Sequence, residues 1–409
     1  MDGDRPRLRG LEAFPIEQDG RRLIALRDPG GFTDQVVVIP APLLDLVSLF
    51  DGEHSIAEMQ SILTERHGAA PTAEQIAEVV RGLDEHGFLD SPRFAERRRA
   101  IEDAFRQSPT RPAAHAGGAY AGDHSGLTEQ IRGFFAHPDG PAAASLAPAS
   151  GPAIRGLIAP HIDFHRGGPT YAWAYREVTD CSDADLFVIL GTCHAGMADP
   201  FTATLKAFDT PLGPAAVDRD FFESLARRYG ADLLASEAAH RSEHSIEFQA
   251  VMLRHLLGDR RPFTILPVLA SYLHEAVWTR SDPEGDPRVP RFIDALLETM
   301  AASRRRVCLI AGVDLAHVGP RFGDPEQNTA ESLAAVGRAD QSMLESVVGG
   351  DPTAFYASIA HDGDRRRICG LSPIYTFLRA LPGVSGRLIR YTQWPDPEGA
   401  VTFCAAAFP

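Results

Sequence analysis

The chain has 409 residues, 44% of them hydrophobic and 23% charged, with a formal net charge of −15. This is the balance of a folded, water-soluble protein long enough for one large domain and a smaller one, and its negative sign opposes sequence-independent binding to a phosphate backbone. No apolar run approaches the roughly 20 residues that span a bilayer, and the polar start Met1-Asp2-Gly3-Asp4-Arg5 lacks the basic end and apolar core of a secretory leader. The expected location is cytoplasmic, with neither membrane nor nucleic acid as a partner.

Residues 1–105 read as a small independent unit. RRLIALRD and QVVVIP are predicted strands around the turn-rich Asp28-Pro29-Gly30-Gly31, and a helix is predicted from Pro42 to Phe50. Ser55 with Glu58, and Thr72 with Gln75, have capping-box spacing and start two further helices. Ile76, Val79, Val80 and Leu83 fall on one face of the second. Three helices ending in the short extended piece Phe88-Leu89 suggest a winged-helix-like domain. Leu43 to Asp90 holds ten acidic residues and two arginines, which argues against a DNA-binding face. The segments LFDGEHSIAEMQSILTERHG and VVRGLDEHGFL resemble PqqD-like domains, and that resemblance implies recognition of a peptide or escort of a partner protein. A tethered helical domain with no ligand of its own is the plainer alternative.

A basic helix from Arg93 to Phe105 leads into the boundary Gln107-Ser108-Pro109-Thr110-Arg111-Pro112 and so to a domain over 106–409. A helical pattern at Leu127–Phe135 precedes a loop at 137–153 rich in Pro, Ala, Ser and Gly. Beyond it, IRGLIAP, DLFVILG, FTILPVLA and RVCLIAGVD are short apolar strands separated by helical patterns, as in a sheet covered on both faces. RLIRYTQ and VTFCAAAF add late strands of antiparallel type. The expected class is α/β, with one central mixed sheet flanked by helices.

Polar residues collect where these strands end. His161 follows IRGLIAP, with Asp163 and His165 just beyond; His194 follows DLFVILG; Asp314 closes VCLIAGV, and His317 lies three residues on. Ligands of open α/β sheets gather outside the carboxyl ends of the strands, so three strands deliver histidines to one edge. Each also has a plain reading: a loop hydrogen-bonder for a lone histidine, a helix cap for Asp314. In RSEHSIEFQAVMLRHLL, the polar Glu243, His244 and Glu247 sit so close to an apolar helix face that burial without partners would be unfavourable; a polar cavity would satisfy them. The five cysteines are scattered, without a CxxC pair. Cys369, in RRRICGLSPI, reads either as an inert buried thiol or as a thiolate projected from a tight turn, its pKa lowered by Arg365, Arg366 and Arg367. Lys206 is the only lysine; with the many alanines, this points to a GC-rich genome more than to any function.

Taken together, RPAAHAGGAY, LIAPHIDFHRGG, LGTCHA, DTPLG, EHSIEFQ, ILPVL, GVDLAHVGPRF and ICGLSPI resemble, in order, the motifs of the Memo family, also called AmmeMemoRadiSam system protein B. The resemblance runs from about Arg111 to the C-terminus. It implies a fold similar to class III extradiol dioxygenases and a metal site at His161, His194 and Cys369. It also implies pocket residues Asp314 and His317, with His244 and Glu247 near the cavity. Thr192 and Cys193 replace the family's usual Pro-Ser, so Cys193 is either a second thiol near the metal or a space filler. Fe(II) is the expected ion and Cu the alternative, since two imidazoles and a thiolate suit both. The implied activity is that of a redox or dioxygenase-like oxidoreductase, with a radical SAM protein and an AMMECR-type protein as partners. A non-catalytic peptide- or partner-binding component of that system is the alternative.

Overall fold

The protein is described from a computed structural model that covers residues 4–18, 20–142, 153–258 and 260–409. It divides into two compact units, Met1–Gln107 and Ser108–Pro409.

In the N-terminal unit, β1 (Glu12–Gln18), β2 (Arg21–Arg27) and β3 (Val36–Pro40) form an antiparallel meander, followed by α1 (Leu44–Val47), α2 (Ile56–His67), α3 (Ala73–Glu85) and α4 (Pro92–Gln107). The turn after β2 is tied by Asp28, whose carboxylate accepts from the amides of Gly30, Phe32 and Thr33 and pairs with Arg9 at 3.0 Å. Both expected capping boxes are present, at Ser55/Glu58 and Thr72/Gln75. Met59, Leu63, Ile76 and Leu83 turn inward and meet Leu26, Ile39 and Phe88 in the core.

Two elements differ from expectation. The helix expected over Pro42–Phe50 is a 3-10 turn, Ala41–Leu43, plus the single α-turn of α1, because the amides of Leu49 and Phe50 reach back only three residues. Strand β1 was not expected. Its Pro15 lacks an N–H and is tolerated there because β1 is an edge strand. Phe88-Leu89 makes a single antiparallel bridge, Leu8 to Leu89, before α4 starts.

The C-terminal unit comprises β4 (Thr110–Arg111), α5 (His124–Ala136), β5 (Gly156–Ala159), α6 (Phe164–Cys181), β6 (Leu186–Thr192), β7 (Phe201–Ala203), β8 (Ala207–Phe208), α7 (Arg219–Tyr229) and α8 (His244–Leu257). It continues with β9 (Thr264–Ala270), α9 (Leu273–Thr279), α10 (Arg288–Ala302), β10 (Val307–Gly312), β11 (His317–Val318), α11 (Ala330–Val348), α12 (Pro352–Ala360), α13 (Leu371–Ala380), β12 (Arg387–Trp394) and β13 (Ala400–Phe408). The main sheet has the order β11-β13-β5-β10-β6-β9-β7, with β12 along β13. Strands β5, β10, β6 and β9 are parallel, while β13 and β7 run against their neighbours. The sheet is therefore mixed, and both late strands are antiparallel. Most of the loop expected at 137–153, residues 143–152, lies outside the described residues.

Alternation along the strands divides the apolar residues between two cores. On β6, Leu186, Val188 and Leu190 face the layer of α7, α10 and α13, whereas Phe187 and Ile189 face α5, α6 and α8. No helix among the described residues is long and apolar enough to cross a membrane.

Helix α8 lies unusually close to the sheet. A Cβ on Gly191 would sit 2.5 Å from Ser245 Oγ, and one on Gly312 would sit 2.5 Å from the Ser245 carbonyl oxygen. Gly312 ends β10 and Gly191 is the last residue but one of β6, so the approach is needed where those strands open into their loops. Gly312→Ala is expected to lower unfolding stability by about 1–3 kcal/mol through overpacking, measured as a shift in the denaturant midpoint at unchanged m-value.

Candidate metal centre

The carboxyl ends of β5, β6 and β10 open on one edge of the sheet. His161 lies two residues beyond β5, His194 two beyond β6 and Asp314 two beyond β10, while Cys369 sits in the turn before α13. His161 Nε2 is 3.2 Å from Cys369 Sγ. One ligand atom from each of His161, His194 and Cys369 lies within 4.8 Å of the others. A second group within the same limit, His194, Glu243 and His244, shares His194.

Both rings are oriented from behind. His161 Nδ1 donates to the Gly312 carbonyl at 3.0 Å, and His194 Nδ1 is 3.0 Å from both Glu243 carboxylate oxygens. A proton held on Nδ1 puts the lone pair on Nε2, the tautomer a cation needs. Glu243 is also the N-cap of α8, accepting from Ser245 N, and it accepts from the His194 amide at 2.9 Å. The next polar residues of α8 hold the strand ends: Ser245 Oγ donates to the Thr192 carbonyl, and Gln249 Nε2 to the Pro160 carbonyl. Thr192 Oγ1 in turn donates to the Cys369 carbonyl at 3.1 Å.

Burial favours neutral imidazoles at His161, His244 and His317. Burial lowers His161 to about 3, with His194 adding to the effect. Burial likewise takes His244 well below its usual value and lowers His317. Asp314 is raised by burial to about 6. For Glu243 burial works in the raising direction, but His194 and His244 hold the carboxyl well below its usual range. The Cys369 thiol is pushed well above 9 by burial and by Asp314. A cysteine beside a histidine could be a nucleophile, but this one keeps its proton, whereas a bound cation would displace it. The donor set therefore fits a metal ion better than a thiol–imidazole pair.

The remaining sequence-derived candidates are placed as follows. Asp314 is buried and accepts from the His161 amide at 2.9 Å; its other oxygen lies 3.7 Å from His161 Nε2. It caps no helix, and its charge works against the lowering of His317 by burial, while His317 Nδ1 meets the Leu315 carbonyl at 3.2 Å. His244 stacks on His194 with ring centroids 4.6 Å apart.

Glu247, expected near the cavity, has another task. Its carboxylate is taken up by Arg111, Tyr120 OH and the amides of Ala114 and His115, because it lies on the α8 face covered by residues 111–120. The arginines before Cys369 do not lower its pKa: Arg366 pairs with buried Asp340 and Arg367 with Asp324. Cys193 is 5% exposed and packs in the apolar core, its thiol raised by burial to about 12; it fills space. His165 is exposed, and Asp163 caps α6.

Two residues escaped the sequence reading, and for Glu243, singled out there with His244 and Glu247, the pairing with His194 was not foreseen. Gln249 is a polar position on an otherwise buried helix, which was the available signal. Arg111 gave none: it is fully buried and also donates to the carbonyls of Pro112, His240 and Glu243.

An α/β unit with a two-histidine, one-cysteine cluster at its strand ends defines a class of candidate metalloproteins. Residues 111–403 match the family described as Memo-like protein, and the chain belongs to that family. A MEMO1 family protein of Aquifex aeolicus is 25% identical over 400 residues, covering 97% of this chain and 98% of that protein. Archaeal MEMO1 family proteins align over about the length of the C-terminal unit. That of Aeropyrum pernix is 29% identical over 71% of this chain and 94% of its own, and that of Methanothermobacter thermautotrophicus is 28% identical over 71% and 95%.

Two outcomes follow for the metal-free protein. Glu247→Leu strands the Arg111 guanidinium and is expected to lower stability by about 3–5 kcal/mol, with partial recovery in Arg111→Met/Glu247→Leu; urea unfolding of the wild type and both variants checks this. His161 and His240, lowered to about 3, and His255, lowered to about 4, stay neutral when folded. They take up protons near 6.5 once unfolded. Their contribution is present above about 6.5 and is lost as pH falls toward their folded values, whereas Asp314, raised to about 6, acts in the opposite sense. Three sites outweigh one, so the urea midpoint is expected to fall steadily from pH 7 to pH 5.

Proposed function

We propose that the C-terminal unit holds one non-haem metal ion between His161, His194 and Cys369 and works as a redox or dioxygenase-like oxidoreductase in a radical SAM system. Fe(II) is the ion put forward, with Cu second, and a radical SAM protein and an AMMECR-type protein are the partners. The observation that carries the reading is the 3.2 Å approach of His161 Nε2 to Cys369 Sγ with His194 beside them. Resemblance to class III extradiol dioxygenases belongs to the same proposal.

When bound, the ion would supply Lewis acidity and, as iron or copper, electron transfer. The protein's own groups then have distinct tasks. Gly312 and Glu243 fix the ring orientations, and Asp314 holds the His161 backbone. His317, neutral and half-buried beside Phe322, is placed to accept a proton from a bound substrate. His244, stacked on His194, closes one side of the opening.

The test is anaerobic purification and metal analysis of the wild type, His161→Ala and Cys369→Ser. About one ion per chain is expected in the wild type and strong loss in both variants. Because burial keeps the Cys369 thiol protonated before loading and a bound cation would displace that proton, loading is expected to release at least one proton per ion. Unchanged metal content in both variants would overturn the centre.

A second reading, a peptide- or partner-binding component, is favoured by the N-terminal unit, taken as PqqD-like and winged-helix-like. Its edge strand β3 presents Val36, 51% exposed, and Val38, 42% exposed. Co-purification of the full chain with a radical SAM protein or precursor peptide, abolished by Val38→Glu, would support it; binding indifferent to that change would count against it.

A further inference from the structure

The two imidazoles of the centre are backed by unlike groups. Behind His161 stands the uncharged Gly312 carbonyl, 3.0 Å from Nδ1. Behind His194 stands a carboxylate, both of whose oxygens are 3.0 Å from Nδ1. Orientation alone does not need that charge, since a carbonyl does the same work at His161. The Glu243 side chain is 4% exposed, so its field is little weakened by water or salt. The nearby guanidinium of Arg111 pairs with Glu247 and donates to the Glu243 main-chain carbonyl, and the other neighbour of the Glu243 carboxylate is His244 Nδ1 at 3.5 Å.

We propose that Glu243, acting through His194, is a metal-selectivity residue that tunes the His161/His194/Cys369 centre to divalent rather than monovalent cations. The inference rests on the metal-centre reading above and deepens it. Two imidazoles and a thiolate form a soft set that would accept Cu(I) readily. Cys369 thiolate, Glu243 and Asp314 place three negative charges around the centre, of which a divalent ion offsets two and a monovalent ion one. At equal distances the carboxylate attracts the divalent ion twice as strongly. Drawing on the Nδ1 proton, it also strengthens Nε2 as a donor. Asp314, 3.7 Å from His161 Nε2, adds a charge common to every variant below, so it cancels in the comparison.

The experiment uses the full chain under anaerobic conditions. Affinities for Co(II) and for Cu(I) are measured by competition with chromophoric chelators in the wild type, Glu243→Gln and Glu243→Asp. Melting of each metal-free protein checks the fold. Glutamine keeps an acceptor for the imidazole and the helix cap but removes the charge; aspartate keeps the charge. Glu243→Gln is expected to weaken Co(II) binding by about 10- to 100-fold while moving Cu(I) much less, and Glu243→Asp to keep the wild-type ratio. Equal weakening of both ions in Glu243→Gln would reduce Glu243 to a support for the ring and overturn the proposal, as would no change in either. His161→Ala and Cys369→Ser separate the two failures. If they abolish binding while Glu243→Gln keeps the ratio, the centre stands and only the role of Glu243 falls. If the wild type binds neither ion, both fall.

Discussion

The close seating of α8 on the sheet is the constraint on which the rest of the C-terminal unit depends. Gly191 and Gly312 have no side chain to hold the helix away, and at that separation Ser245 and Gln249 reach the carbonyls that end β6 and β5. Strand ends leave backbone groups without ladder partners, and buried ones must find them elsewhere. Here a helix supplies them, and the loops bearing His161 and His194 are thereby fixed. The same helix offers Glu243 at its start and Glu247 one turn on, so one element both orients a ring and anchors residues 111–120.

Charge is arranged in keeping with that seating. Burial keeps the His161 and His244 imidazoles neutral, the Glu243 carboxylate stands behind His194 and Asp314 beside His161, and the thiol keeps its proton until something replaces it. Such a site is poorly suited to nucleophilic attack by sulfur and well suited to a cation, which would relieve the unfavourable burial of acidic groups. A second buried network, Asp340 with Arg366, Tyr391 and Thr402, braces the loop from Asp314 to His317 from the far side. Thr402 also exchanges backbone bonds with Leu315 and Ala316. Arg366 and Arg367, before Cys369, thus serve the scaffold.

The two units differ in how they use their surfaces. The sheet of the C-terminal unit is covered on both faces by helices, with two apolar cores divided by strand alternation. The three-stranded sheet of the N-terminal unit turns Ile39 and Leu26 to its core but leaves Val36 and Val38 exposed on an edge strand, a position from which a partner could be paired. Relatives aligned over nearly the whole chain and relatives aligned over about the length of the larger unit both occur. Membership of the family therefore does not depend on residues 1–107.

Period and punctuation in the sequence determined the α/β class, both capping boxes, the four parallel strands and the antiparallel pair at the end. These are local signals, because apolar alternation and cap spacing act within a few residues. Strand-end position also marked His161, His194 and Asp314, whereas Cys369 rested on the family motif. Only the tertiary structure decided what meets what. Glu243 and Glu247 lie four residues apart on one helix, yet one faces the His194 ring and the other a buried arginine 136 positions earlier in the chain. Likewise, three arginines beside Cys369 looked like its electrostatic partners until Asp340 and Asp324 took two of them. The partner of a buried charge is chosen by packing across the chain, and no spacing within the sequence encodes it.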